Sequence, residues 1–116
     1  MKLIVKKYGG TSVATPTKIK NIAKKIAEES DSNRLVIVLS AMGKTTDNLV
    51  SLAKKCSKNP NSIDYDLLVS SGEQISISLL SMALKDLGKD SVAYTGWQAG
   101  IKTCLLYTSD AADDNT

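Results

Sequence analysis

The residues best suited to chemistry near the start of the chain are a lysine and a pair of glycines. The segment KYGGTS, residues 7–12, comes one residue after the apolar stretch 3–5. Two glycines let a backbone approach a ligand closely and turn N–H groups towards an anion. Lys7 adds a positive charge, and Thr11 and Ser12 add hydroxyl donors. The pattern indicates a phosphate cradle, but a turn that only ends a strand would explain the glycines equally well.

A second polar segment, SAMGKTTD at residues 40–47, follows another apolar stretch. Its Gly-Lys-Thr triplet suggests a P-loop, but that motif requires a glycine at position 38, which is Val38. A P-loop-like nucleotide-binding module therefore stays an alternative only. The loop could also contact a polar substrate through the hydroxyls of Ser40, Thr45 and Thr46, and we expect Thr46 or Asp47 to cap a helix.

The third segment, SSGEQIS at residues 70–76, contains a single acidic residue. We predict that a helix begins at about Gly72, with Glu73 in its first turn, where the helix dipole favours a carboxylate. Glu73 either stabilises that helix or pairs with the ammonium group of a ligand.

The remaining pattern supplies elements that would position these segments. Residues 3–8, 35–39 and 91–94 are predicted strands, and the second is expected to be buried on both faces because it is continuously apolar. Helices are predicted after Thr15-Pro16, after residues 46–47, and from Gly72 to Leu87, with Gly88 as the stop. This order predicts an α/β fold with an open, mainly parallel sheet and flanking helices. Ligands of such sheets bind beyond the carboxyl ends of the strands, here residues 7–12, 40–47 and 95–100.

Composition excludes several classes of function. The 116 residues include no histidine, which excludes Ser-His-Asp hydrolysis and His-ligated zinc sites. The basic residues are dispersed, and one Trp with no Phe argues against nucleic-acid binding. The longest unbroken apolar run, residues 35–39, is far too short to span a membrane. The two cysteines suit a reducing compartment. One at a helical apolar position, Cys56, is expected to pack.

Together, four segments of the chain resemble the aspartokinases of the amino-acid kinase superfamily, in their compact monofunctional bacterial form. The segments are residues 7–13, 38–49, 66–76 and 94–101, and the likeness covers residues 1–103. The resemblance implies the N-terminal part of the amino-acid kinase fold. It also implies transfer of the γ-phosphoryl group of ATP to the side-chain carboxylate of L-aspartate, which gives 4-phospho-L-aspartate for lysine, threonine and methionine biosynthesis.

The resemblance also implies roles for individual residues. Lys7 would act catalytically on the transferring phosphate, and Tyr8, Gly9 and Gly10 would complete the nucleotide site with it. The substrate aspartate would be bound by Ser40, Thr46 and Glu73. Mg²⁺ would accompany ATP, with no metal ligand expected from the protein in this segment. The implied enzyme is cytoplasmic, binds no membrane or nucleic acid, and forms an oligomer when complete.

The chain departs from the family pattern in two respects. Aspartokinases are several times longer, so residues 1–103 are expected to be an incomplete kinase domain with little or no activity alone, and a non-catalytic fragment stays an alternative. Residues 104–116 contain three Asp and no Lys or Arg, which leaves a net charge of +6 on the preceding residues. This segment resembles a translated sequencing adapter, and we expect it to be a non-native tail.

Overall fold

Two parallel strands organise the structure, a computed structural model that describes residues 1–59 and 62–96. Strand β1 is Leu3–Tyr8 and strand β2 is Arg34–Leu39. Their register runs from Leu3 opposite Arg34 to Tyr8 opposite Leu39. The prediction of an α/β fold with a parallel sheet and flanking helices is confirmed, since three helices accompany the two strands among the described residues.

Helix α1, Pro16–Ser30, connects the two strands as predicted. It begins where the chain supplies a capping side chain: the Lys18 N–H donates to the Thr15 hydroxyl oxygen at 3.3 Å. The apolar positions with helical spacing are all buried, and they are Ile19, Ile22, Ala23, Ile26 and Ala27. One face of α1 therefore packs into the core, and its lysines remain in solvent.

Helix α2, Thr45–Cys56, begins before the predicted caps. Lys44 occupies the cap position without a side-chain hydrogen bond, so Thr46 and Asp47 lie inside the first turn and the predicted capping role is wrong. The expected packing of Cys56 is also wrong, because its side chain is exposed. The outer face of α2 is only lightly covered, and Leu52 is exposed as well.

Helix α3, Ser62–Asp86, begins ten residues before the predicted start at Gly72. Ser70 and Ser71, which precede the predicted start, are of a residue type that often caps helices. Their hydroxyls instead donate to the carbonyls of Leu67 and Leu68, 3.0 and 2.6 Å away and three residues earlier in the helix. Serines that bond backwards in this way are compatible with a helix interior, so the helix continues through them.

The predicted end of α3 at Gly88 is confirmed. Gly88 has a φ of +79°, its N–H donates to Lys85 O at 2.9 Å, and Lys89 N–H donates to Leu84 O at 3.1 Å. These are the two hydrogen bonds of a Schellman motif. Beyond it, Ser91 hydrogen-bonds Ser81 on the helix. The predicted strand 91–94 is wrong: no strand partner pairs with these residues within the described part of the chain.

The core lies between the sheet and the helices, on one face of the sheet. Leu39, Val13 and the buried face of α1 meet Leu80 and Leu84 of α3 there. Lys6, also on this face of the sheet, pairs with Glu29 of α1. That ion pair ties the strand to the helix at the edge of the core, where both side chains remain partly in solvent.

The opposite face of the sheet is not covered by any described residue. Leu3 and Val5 are 62% and 64% exposed, and Val36 and Val38 are 46% and 40% exposed. The expectation that β2 is buried on both faces is therefore wrong for this chain. The parallel pairing of β2 does agree with its continuously apolar sequence. Such a sequence is typical of parallel strands in sheets that have helices on both faces.

Helix α3 shows the same incomplete burial. Its apolar side chains Leu67, Ile75 and Met82 are exposed. By length and composition, Ile63–Asp86 could cross a bilayer, with a mean hydropathy of 1.4 in its most apolar stretch. Scanning for unbroken apolar runs missed this because serines interrupt it. Core helices pass the same test, and α3 contributes Ser76, Leu80 and Leu84 to the interior.

We predict that Gly88→Ala lowers the free energy of unfolding by about 1 kcal/mol, since a Cβ in the left-handed region costs that much even where space is open. Gly9→Ala is the matched control, because an added Cβ there also meets open space and Gly9 lacks a positive φ. Urea unfolding of the two variants measures the difference. Equal stability of both variants would contradict the helix-end assignment.

Candidate active site

The carboxyl ends of β1 and β2 place the first two polar segments side by side. Since Tyr8 pairs with Leu39, residues 9–12 and residues 40–44 leave the same edge of the sheet. Ser40 N–H donates to Tyr8 O at 3.2 Å, and Gly43 N–H donates to Gly10 O at 3.0 Å. The two loops are therefore joined by backbone hydrogen bonds, as the parallel sheet predicted.

The two glycines of the first segment differ in their surroundings. A Cβ on Gly10 would lie 3.0 Å from Ala41 O, closer than side chains normally come to a carbonyl oxygen, whereas a Cβ on Gly9 would meet nothing within 4 Å. Gly10 is thus required for the close approach of the two loops. Gly9 is exposed, and neither glycine N–H donates a hydrogen bond to a described residue. Both groups remain available to an anion.

Lys7 and Tyr8 leave β1 on opposite faces of the sheet. Tyr8 is half-buried and packs against the core on the helix side. Lys7 is exposed on the other face, the one that carries Val5 and Val38. The structure therefore brings Lys7 to the end of the sheet where the two loops meet, but turned towards the uncovered side.

The third segment reaches this edge from α3. A Cβ on Gly72 would lie 3.2 Å from Thr45 Cγ2 and 3.3 Å from Ala41 Cβ, so the helix backbone packs directly on the second loop. Ser76 donates its hydroxyl to Ser40 O at 2.7 Å. All three segments thus converge at the carboxyl ends of the strands.

The predicted substrate residues differ in burial. Ser40 is half-buried in the second loop, and its hydroxyl donates to Ala41 O at 3.2 Å. Thr46 is exposed in the first turn of α2, with Thr45 beside it turned towards Gly72. Both hydroxyl residues lie on the same short loop-to-helix connection.

Glu73 does not lie in the first turn of a helix, and that prediction is wrong. It lies in the middle of α3, so the dipole argument made from the sequence does not apply. The residue is exposed as a whole, but desolvation of its carboxyl raises the pKa of Glu73 above the ordinary value of 4.5. The carboxylate therefore lacks part of the solvation that an isolated surface glutamate has.

The second loop does not form a P-loop cradle. Two of its backbone N–H groups already have partners: Gly43 N–H donates to Gly10 O in the first segment, and Thr45 N–H donates to Met42 O at 2.8 Å. Val38 lies within β2. A P-loop instead turns its N–H groups towards phosphates.

Two further surface features lie elsewhere. Shallow grooves run between α1 and the end of α3, lined by Lys24 and Leu87, away from the carboxyl ends of the strands.

Among residues 1–59 and 62–96, no group of three acidic or cysteine side chains is arranged to hold a metal ion. The predicted loop at residues 95–100 lies mainly outside the described residues.

Ser76 and the packing role of Gly72 were missed from the sequence. A signal for Ser76 was present: it shares a helical stripe with Leu80 and Leu84, and a polar residue within a buried stripe requires a partner. No local pattern identifies that partner, which lies 36 residues earlier in the chain.

We predict that the contribution of Glu73 to the stability of the chain falls as pH rises from about 4.5 through its raised pKa. In that window the folded state binds more protons than the unfolded state, so the free energy of unfolding decreases with pH. Glu73→Gln removes this part of the decline, which urea unfolding at a series of pH values measures. Glu28→Gln on the exposed face of α1 controls for the loss of one charge. Parallel pH profiles for Glu73→Gln and the unmodified chain would contradict the prediction.

Comparison with known proteins identifies relatives of the chain. The sequence model of the amino acid kinase family matches residues 2–115. Aspartokinase 2 of Bacillus subtilis is 57% identical over 108 residues, which are 92% of this chain and 26% of that protein. The aspartokinase of Geobacillus stearothermophilus is 51% identical over 104 residues, 89% of this chain and 26% of its own length. The chain thus spans about a quarter of the length of these relatives.

A solved structure agrees. The crystal structure of aspartate kinase from Synechocystis superposes with a TM-score of 0.74 at 48% identity, covering 78% of this chain and 16% of that one. The resemblance to aspartokinases that the four sequence segments indicated is therefore confirmed. On these matches and on the parallel sheet with its converging loops, the chain belongs to the amino acid kinase family.

Proposed function

We propose that the chain is the N-terminal part of an aspartokinase, an enzyme that transfers the γ-phosphoryl group of ATP to the side-chain carboxylate of L-aspartate. The observation that carries the proposal is the convergence of the glycine turn, the Ser40 loop and the Glu73 turn of α3 at one edge of the sheet. High identity to aspartokinases over most of the chain supports it.

The chemistry of such a reaction suits a chain without histidine. A carboxylate acceptor is already ionised near neutral pH, so no general base is required to activate it. Catalysis then depends on holding the two substrates in line and on stabilising the charge of the transferring group. Lysine, backbone N–H groups and hydroxyls are sufficient for that task.

On this proposal, the nucleotide lies against the first segment. The free N–H groups of Gly9 and Gly10 would donate to phosphate oxygens, with Tyr8 beside them, and Lys7 would neutralise charge on the transferring phosphoryl group. Gly10 serves a second purpose, since its close contact with Ala41 fixes the turn. Mg²⁺ would arrive with ATP as part of the substrate.

The aspartate would lie against the second and third segments. Ser40 and Thr46 supply hydroxyls, and Glu73 would pair with the ammonium group. Because desolvation raises the pKa of Glu73, its charged form gains more from an ammonium partner than a fully solvated carboxylate would. Aspartate binding should accordingly weaken as pH falls towards the pKa of Glu73.

The chain contains only part of the proposed enzyme. It spans about a quarter of its relatives, and phosphates in a cleft need donors from both sides. We infer that residues 1–103 are an incomplete kinase domain with little or no activity alone. The complete protein is proposed to be an oligomeric cytoplasmic enzyme.

We predict that Lys7→Ala lowers the kcat of the full-length protein by roughly 10²- to 10³-fold, as expected for loss of a group that stabilises transition-state charge. Lys44→Ala is the matched control, since Lys44 is also an exposed lysine at a loop edge. Aspartyl phosphate trapped as the hydroxamate measures the rate. The isolated 116-residue chain should give none.

The same pair of variants separates the alternatives. Full activity of Lys7→Ala would end the aspartokinase assignment of this lysine. Loss of activity in Lys44→Ala alone would instead favour a P-loop-like nucleotide module. Hydroxamate formation by the isolated chain would contradict the inference that it is an incomplete domain.

Residues 104–116, which lie outside the described residues, are proposed to be a non-native tail. We predict that an adapter-free read of the source locus diverges from this sequence after the Thr103 codon and continues into the rest of a kinase domain. Persistence of the Cys104 codon and those after it in such a read would overturn the proposal.

A further inference from the structure

We propose that Ser76 is a positioning residue for the acceptor substrate: its buried hydroxyl holds the Ser40 loop at a fixed distance from the Glu73 turn of α3. The inference rests on the proposed function, because Ser40 and Glu73 are the residues to which aspartate binding is ascribed. It adds a residue that touches neither substrate.

Burial makes the hydroxyl of Ser76 sensitive to its partners. Ser76 is fully buried, and it is the one buried polar side chain in the described part of the chain. A hydroxyl removed from water must make a hydrogen bond in the protein or lose stability. An alanine would fill nearly the same space, so packing alone does not require the hydroxyl at this position.

The hydrogen bonds of Ser76 connect two elements. Its Oγ lies 2.7 Å from Ser40 O and 3.1 Å from Glu73 O. A serine hydroxyl has one proton to donate, so the shorter contact across the site is the main bond and the contact within the helix is secondary. The hydroxyl could hydrogen-bond within its own helix, to Glu73 O. Its shorter bond to Ser40 O therefore connects the Ser40 loop to α3.

The geometry places this bond between the two proposed ligands of the aspartate. Glu73 lies one helical turn before Ser76, and the Ser40 backbone is bonded to Ser76 directly. Gly72 packs against Ala41 and Thr45 and brings the helix close to the loop. Dispersion contacts of that kind are weakly directional, whereas a hydrogen bond sets the position of a carbonyl group.

Loss of the hydroxyl should therefore change where Ser40 lies relative to Glu73. The carbonyl of Ser40 would lose its partner on α3, and the loop could move while the core stayed packed. Displacements of about 1 Å within a substrate site can cost roughly 10²-fold in rate. The nucleotide side should be less affected, because the glycine turn is joined to the second loop by a different bond, from Gly43 N–H to Gly10 O.

The test uses the full-length protein with Ser76→Ala and the matched control Ser78→Ala, an exposed serine on the same helix. We expect Ser76→Ala to raise the KM for aspartate about tenfold, the order expected for one lost hydrogen bond, with the KM for ATP changed less than about twofold. Ser76→Cys, a weak donor of similar size, should fall between Ala and Ser. Ser78→Ala should match the unmodified enzyme.

Each outcome decides the proposal. If Ser76 has a purely structural role, Ser76→Ala lowers the thermal stability and either leaves both KM values unchanged or raises both equally. Either result overturns the positioning role and leaves the proposed function intact. If the unmodified full-length protein does not phosphorylate aspartate, the proposed function fails and the positioning role fails with it. A selective rise in the aspartate KM supports both.

Discussion

Parallel pairing of β1 and β2 is the constraint on which the rest of the structure depends. Because Tyr8 lies opposite Leu39, the two strands end together and their following loops must share one edge. The Gly43–Gly10 and Ser40–Tyr8 hydrogen bonds extend the ladder into the loops. A slip of the register by one residue would turn Leu39 out of the core and separate the glycine turn from the Ser40 loop.

One face of the sheet is left uncovered by the described residues. Val5 and Val36 are paired across the strands with both side chains largely in solvent, and the outer side of α3 is apolar as well. Exposed apolar surface on a strand pair loses the free energy that burial would contribute. The same face carries Lys7, the lysine of the proposed phosphate site. The chain also spans only about a quarter of the length of its relatives.

Local signals in the sequence were sufficient for α1 and for the end of α3. The Thr15-Pro16 start and the Gly88 stop depend on side chains and dihedral angles within a few residues. Predictions failed where a distant contact decides the outcome. Ser70 and Ser71 resemble capping residues but bond backwards, and a strand over residues 91–94 requires a partner that the described chain does not supply. The convergence of three segments could be predicted from the parallel sheet, but the bond from Ser76 to Ser40 could not.

The position of Glu73 changes the physical basis of its proposed role. At a helix N-terminus, the backbone dipole would stabilise its charge and a ligand ammonium would add little. In the middle of α3 it has no such support, and desolvation raises the pKa of its carboxyl. The charged form of a desolvated carboxylate is disfavoured, and a cation beside it stabilises that charged form. On the proposed function, the same helix turn, bonded to Ser40 through Ser76, would supply both the charge and the fixed position that binding an amino acid requires.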